Sequence, residues 1–310
     1  MPLRRPPALQ PGDRVAVLSA SSPADAACLP DGLDALRFAG LEPVVYATAH
    51  DRGSVRHYLA GTDEARAADL RAALCDDSIA GIVFATGGYG AQRTLEAMDW
   101  SGMDRLAPKV LAGYSDVTAL LEAVATRLGW SSLMCSMVSG RDFAEAYTFS
   151  SIVRCLMAPE RAREFAYSGT ETIAGGRARG VTVGGNLSLI ASSLATDTCR
   201  PAAGGIVLLE DEDEDDARID GMITQLRRSG YLDGVAGVIC GAWARCGPRE
   251  QVHAVLADRF GDLGVPVLAW ANVGHGGRSQ AFPLGVEAEL DADAATLRFL
   301  EPPLTPAAER

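Results

Sequence analysis

Short apolar runs that break off into small, polar turns, each followed by a helical pattern, constrain this chain more than any other feature. Val15-Ala16-Val17-Leu18 stops at Ser19-Ala20-Ser21-Ser22, Ile79 to Phe84 runs into Thr86-Gly87-Gly88-Tyr89-Gly90, and Val110-Leu111-Ala112 stops at Gly113-Tyr114-Ser115-Asp116. Pro43 to Tyr46 adds a fourth run. The stretches between them read as helices. One carries Leu33, Leu36 and Phe38 and closes at Gly40; another covers 62–73 and opens with Thr62-Asp63-Glu64; two more cover 90–98 and 116–127. Apolar strands alternating with helices predict an α/β fold, a parallel sheet covered on both faces. Ligands of such sheets sit beyond the carboxyl ends of the strands, where the three polar turns lie.

The rhythm breaks over MAPERAREFAYSGTETIAGGRARG, residues 157–180, which mixes charges and glycines without a sustained period. The chain has 310 residues, room for two medium domains. The expectation is therefore an N-terminal domain over 1–160, a linker over 161–180 and a smaller C-terminal α/β domain over 181–310. In the latter, Gly184-Gly185-Asn186 forms a turn before a helix that reaches Leu194. Ile206 to Leu209, Val235 to Ile239 and Val265 to Leu268 read as strands, with helices from about Ala217 and over 249–259. Val286 to Leu290 and Thr296 to Phe299 read as a terminal hairpin.

A formal net charge of −12 disfavours nucleic acid and anionic lipid as partners. No apolar stretch is long enough to span a bilayer, and no h-region follows Arg4 and Arg5, so the expectation is a cytoplasmic chain without a signal peptide. The seven cysteines (Cys28, Cys75, Cys135, Cys155, Cys199, Cys240, Cys246) form no CxxC pair and read as free thiols. The four histidines show no metal-ligand spacing. Asp211 to Asp216 looks like a calcium loop but has Asp216 where the glycine belongs and Met222 where the closing glutamate belongs. Most of that run reads as a solvated turn. No metal and no organic cofactor are expected.

Three residues form a possible chemical set. Ser115 stands where a strand turns abruptly into a helix, a junction that lifts a side chain above the sheet edge and leaves backbone N–H groups free beside it. Helix capping by Ser115 or Asp116 explains the same residues. A serine needs a base. His275 follows an apolar strand and sits among glycines in Gly274-His275-Gly276-Gly277, whereas His50, His57 and His253 lie in blander settings. An imidazole needs a partner in turn, and Glu210 emerges directly from Ile206-Val207-Leu208-Leu209. It can equally be the first residue of the acidic loop. The order Ser, acid, His occurs in α/β-hydrolases, but Val117 breaks their G-x-S-x-G elbow. Gly87 to Gly90 does not have the spacing of a dinucleotide fingerprint either.

Taken together, these segments resemble the serine LD-carboxypeptidases, a family that includes muramoyl-tetrapeptide carboxypeptidases and microcin C self-immunity peptidases. The similarity runs from about Pro11 to Leu300. It rests on Arg56-His57-Tyr58-Leu59-Ala60-Gly61-Thr62, Gly87-Gly88-Tyr89-Gly90, Gly113-Tyr114-Ser115-Asp116-Val117-Thr118 and Gly184-Gly185-Asn186-Leu187. Leu208-Leu209-Glu210-Asp211 with Arg218-Ile219-Asp220, and Gly274-His275 before Phe282-Pro283-Leu284-Gly285, complete the set. The resemblance implies a flavodoxin-like N-terminal domain carrying Ser115 and a C-terminal domain supplying Glu210 and His275. It implies an acyl-enzyme mechanism on a peptide or peptide-like substrate, with the Asp116 N–H and an N–H of the Gly87-Gly88 turn holding the oxyanion. Tyr89, Gly184 and Asn186 join the substrate-binding set, and a homodimer is implied.

Three departures bear on the substrate. Thr86 replaces an arginine that murein-directed members often carry before GGYG, Cys135-Ser136-Met137 stands where G-P-M is usual, and Gly221 replaces an arginine after R-I-D. A lost cation alters recognition of a substrate carboxylate. The sequence therefore leaves open a murein tetrapeptide carboxypeptidase, a microcin C-type immunity peptidase acting on a peptidyl or aminoacyl nucleotide, and a non-catalytic small-molecule binding protein.

Overall fold

A computed structural model describes residues 3–307. The first sheet is built from β1 (Arg14–Leu18), β2 (Glu42–Val45), β3 (Ile79–Phe84), β4 (Val110–Ala112) and β5 (Ser132–Met134). These five strands are parallel and run in the order 2-1-3-4-5, the flavodoxin-like arrangement. Helices α1 (Leu29–Phe38), α2 (Ala47–His50), α3 (Asp63–Cys75), α4 (Ala91–Glu96) and α5 (Thr118–Arg127) connect them. Val15, Val17, Ile82, Val83 and Leu111 are fully or almost fully buried. That is why these strands read as unbroken apolar runs: a parallel sheet is covered on both faces and has no solvent side to alternate with.

After α6 (Ala146–Met157) the chain enters a second sheet of eight strands. Its parallel centre is β8 (Arg177–Asn186), β9 (Gly205–Glu212), β10 (Gly237–Ala244) and β11 (Val267–Ala269). Antiparallel strands β6 (Glu164–Ala166), β7 (Glu171–Ala174), β13 (Glu287–Asp291) and β14 (Thr296–Phe299) flank it. Helices α7 (Leu187–Ser193), α8 (Asp216–Arg228) and α9 (Arg249–Phe260) belong to this half. The β13–β14 hairpin is the one expected from the sequence.

The stretch 161–180 is not a bare linker, since it holds β6, β7 and the start of β8. β6 and β7 are the two edges of that sheet, and they and the start of β8 carry exposed charges, which hides their period. β12 (Phe282–Leu284) leaves the second half altogether and pairs antiparallel with β5, as the edge of the first sheet. Alternation along β9 shows how the halves join. Ile206 and Leu208 pack into the core that contains the first sheet, while Val207 and Leu209 pack with Ile219, Ile223, Leu256 and Phe260 of α8 and α9.

Candidate active site

Ser115 heads a short 3-10 turn, Ser115–Val117, between β4 and α5. Its φ of 61° is left-handed, a backbone state that costs a non-glycine residue about 1–3 kcal/mol and gathers at functional sites. The turn after β3 lies against it. A Cβ built on Gly87 would stand 3.0 Å from Ser115 Cβ and 3.2 Å from its Oγ, so only glycine leaves this space open. Asp116 is buried, and its Oδ2 accepts a hydrogen bond from the Ala91 N–H at 2.7 Å. That bond fixes the nucleophile turn to the end of the Gly87–Gly90 segment. Burial raises the Asp116 pKa above the usual carboxylate value, against the pull of the Ala91 N–H. Gly88 packs on Ser22, whose Oγ accepts from the Tyr89 N–H at 3.0 Å. The Tyr89 ring is exposed and meets Tyr58 edge-on at 5.9 Å.

Glu210 comes from β9 and is fully buried. Register sets Asn186 of β8 directly beside it. The Asn186 Nδ2 donates to Glu210 Oε1 at 3.3 Å and to Asp211 Oδ1 at 3.0 Å, while its Oδ1 accepts from the Leu189 N–H as the cap of α7. Glu210 Oε2 accepts from the His275 backbone N–H at 3.0 Å and lies 2.6 Å from His275 Nδ1. The loop reaches this close because residue 274 is glycine. Its φ is 99°, and a Cβ there would fall 2.3 Å from Glu210 Oε2. A carboxylate at Nδ1 holds the proton on that nitrogen and aims Nε2 the other way.

The far side of the imidazole meets two groups. The Tyr114 ring packs on it, with centroids 4.4 Å apart and planes tilted by 34°. Nε2 lies 3.1 Å from Glu212 Oε1. Burial works to lower the His275 pKa, but Glu210 and then Glu212 outweigh it and raise it to about 10. The structure thus brings Glu210 and His275 into direct contact and sets the imidazole against Tyr114, the neighbour of Ser115. Among the described residues no hydrogen bond joins Ser115 Oγ to His275. Asn186 N, donating to Thr118 Oγ1 at 3.1 Å, is a second tie between the nucleophile segment and the second sheet.

Three sequence expectations change. Asp211 and Glu212 are not a solvated turn, because β9 continues through them. Asp211 is buried and bonded to Asn186 and the Ser188 N–H; burial, then Glu210, raises its pKa to about 6. Asn186 does not aim its amide at a substrate, since that group is committed to the two acids and the α7 cap. Gly184 is a packing glycine. A Cβ there would fall 2.0 Å from Leu208 O on the adjacent strand.

Residues that the sequence reading missed are Tyr114, Glu212 and Arg245. A usable signal existed for Glu212: on a strand, positions i and i+2 share a face, so Glu212 follows Glu210. Further along the acidic run, Asp213 pairs with Arg245 and Glu214 with Arg218, Asp215 caps α8, and Asp216 accepts from the Ala217 N–H. Among the described residues no group of three or more His, Cys, Asp or Glu side chains is placed to hold a metal ion.

Comparison with known proteins bears on the same segments. Residues 15–135 match the LD-carboxypeptidase N-terminal domain and residues 179–290 match the LD-carboxypeptidase C-terminal domain. The chain is 48% identical to a putative carboxypeptidase of Streptomyces coelicolor, over 97% of this chain and 98% of that one. It is 30% identical to the murein tetrapeptide carboxypeptidase of Pseudomonas aeruginosa, over 76% of this chain and 80% of that one. A solved structure of MccF in complex with glutamyl sulfamoyl guanosine shares the fold with a TM-score of 0.86 at 20% identity, covering 97% of this chain and 99% of the other. With both family domains matched in order and near-full-length relatives among the carboxypeptidases, the chain belongs to the LD-carboxypeptidase family and is a serine carboxypeptidase.

Proposed function

We propose that the chain removes D-alanine from murein tetrapeptide during cell-wall recycling, with Ser115 as nucleophile, His275 as general base and Glu210 as the acid that orients it. The observation that carries the proposal is the 2.6 Å contact of Glu210 with His275 Nδ1 in a site whose imidazole packs on Tyr114 beside Ser115. In this reading Nε2 takes the Ser115 proton as Oγ attacks the carbonyl of the L-residue–D-alanine amide. The resulting imidazolium gives that proton to the departing D-alanine amine. Water then attacks the ester, again through His275, and frees the shortened peptide. The Asp116 N–H and an N–H of the Gly87-Gly88 turn hold the oxyanion. Tyr89, on the cleft rim, contacts the rest of the substrate.

The likeness to the murein tetrapeptide carboxypeptidase supports this substrate. A second reading has its own support. Thr86 stands where murein-directed members often carry an arginine, and the microcin C7 self immunity protein MccF has the same fold. In that reading the bond cut is an amide of a peptidyl or aminoacyl nucleotide. Incubating the purified chain with murein tetrapeptide and with an aminoacyl sulfamoyl nucleoside, and measuring released D-alanine and released nucleoside, decides between them. Ser115→Ala and His275→Ala each abolish turnover of the true substrate. Turnover that survives both variants sinks the mechanism.

The same reading takes the N-terminal half, to about residue 160, as the unit that carries the nucleophile and the part from 181 as the unit that carries base and acid. It places the enzyme in the cytoplasm as a homodimer. Among the described residues no helix is long and apolar enough to cross a membrane. Light scattering coupled to gel filtration tests the dimer.

A further inference from the structure

We infer that Glu212 is a positioning residue that competes with Ser115 for Nε2 of His275, so that the resting site holds its imidazole clamped between two carboxylates and Arg245 governs the release. The inference rests on the reading of Ser115, His275 and Glu210 given above. It deepens that reading by adding a control on the base.

The two carboxylates differ in freedom. Glu210 has no exposed side chain, takes both the ring Nδ1 and the backbone N–H of His275, and is bonded from behind by Asn186. It cannot leave. Glu212 lies two residues further along the same strand, where the sheet ends, and a third of its side chain is exposed. Its Oε1 lies 3.1 Å from His275 Nε2, while its other oxygen, Oε2, pairs with Arg245 Nη2. Arg245 is held for this task. The β9–β10 register sets Ala244 opposite Glu212, so Arg245 follows directly across from the carboxylate. Both Arg245 and Asp213 have left-handed backbones, with φ of 56° and 58°, and Asp213 Oδ1 accepts from Arg245 Nε at 2.6 Å. Two strained residues at adjacent strand ends thus present one guanidinium to Glu212.

The chemistry follows from the geometry. With a carboxylate oxygen at each ring nitrogen, both nitrogens act as donors and the ring is an imidazolium. An imidazolium accepts no proton from a serine. When Glu212 turns wholly to Arg245, Nε2 loses its proton to water and its lone pair faces the cleft. The groups that face the imidazole are Glu210, Glu212 and Asp213 from the end of β9, Arg245 after β10 through its hold on Glu212 and Asp213, and the Tyr114 phenol after β4, which burial keeps neutral. Removing one carboxylate from this set lowers the ring's proton affinity, and removing the guanidinium raises it.

The test uses the full chain. The His275 ring nitrogens are titrated by NMR in a Ser115→Ala background, alone and with Glu212→Gln or Arg245→Gln. The pH profile of kcat/KM is then recorded for Glu212→Gln and Arg245→Gln in the enzyme that retains Ser115. Glu212→Gln is expected to move the titration midpoint and the acid limb of the profile down by about one pH unit or more, with a gain in kcat/KM at neutral pH. Arg245→Gln is expected to move both upward. Midpoints that stay within a few tenths of a unit in both variants overturn the inference and leave the assignment of Ser115 untouched. Turnover that persists in Ser115→Ala overturns the assignment of the nucleophile itself, and the titration, which needs no turnover, tells the two failures apart.

Discussion

Gly274 and Gly87 show how single residues without side chains hold the site in place. The space at each is already taken: by a Glu210 oxygen at one and by Ser115 at the other. Gly274→Ala forces the acid away from the imidazole at a position that also needs a positive φ. The expected result is a fall in kcat of about 100-fold or more, measured on whichever substrate proves correct. A companion melt separates misplacement of Glu210 from unfolding. Gly87→Ala crowds Oγ directly, and the expected result is lost turnover with a Tm close to wild type. At this scale the sequence was informative where chemistry and backbone coincide. Ser115 and His275 each stand in a loop that follows an apolar strand, β4 and β11, while Glu210 lies inside β9 behind its apolar run, and those placements can be read from apolar runs and glycines. Asn186 and Glu212 were harder. The Asn186 contact comes from the register between β8 and β9, which no local pattern records, and Glu212 shares the face of Glu210 only because β9 continues past it.

Helix α5 links the nucleophile turn to a different environment. Its first turn touches Gly185 and Asn186, while Leu121, Glu122, Ala125 and Thr126 line a pocket of about 140 Å³ together with Val181 to Gly184, Ala202 and Tyr231. The Glu122 Oε2 is sealed from solvent there and has no hydrogen-bond partner among the described residues. Burial raises its pKa to about 8. Its folded pKa lies above the model-peptide value of 4.5, so between those two values the native state binds more protons than the unfolded chain. Stability therefore falls as pH rises through that window. Glu122→Gln is expected to raise Tm at pH 8.5, to leave it nearly unchanged at pH 4.5, and to flatten the profile between. A variant whose Tm tracks wild type at every pH contradicts this account of the residue. Long buried strands set between helices were legible from the sequence, and the short buried β5 and β12 were not. The first sheet was read nearly complete except β5, three residues long. β12 was missed because Pro283 argues against a strand, yet proline is tolerated on a sheet edge, and β12 is one.

At the scale of the molecule, the two halves share one core. The face of β9 that carries Ile206 and Leu208 packs into the same cluster as the first sheet, and β12 crosses back to cap β5. A chain ending near residue 160 lacks Phe282 and Leu284, both buried, and leaves the β5 edge open. Such a fragment is expected to bind a dye for exposed apolar surface and to aggregate, where the full chain does not. A fragment that melts cooperatively as a monomer contradicts it. Left-to-right reading expects two units joined by a tether because it cannot see a segment return. The crossing strand also sets a schedule for biosynthesis. A ribosome must deliver β12, far downstream of β5, before that flank can be sealed, so the nascent first sheet waits with an open edge until the returning segment emerges.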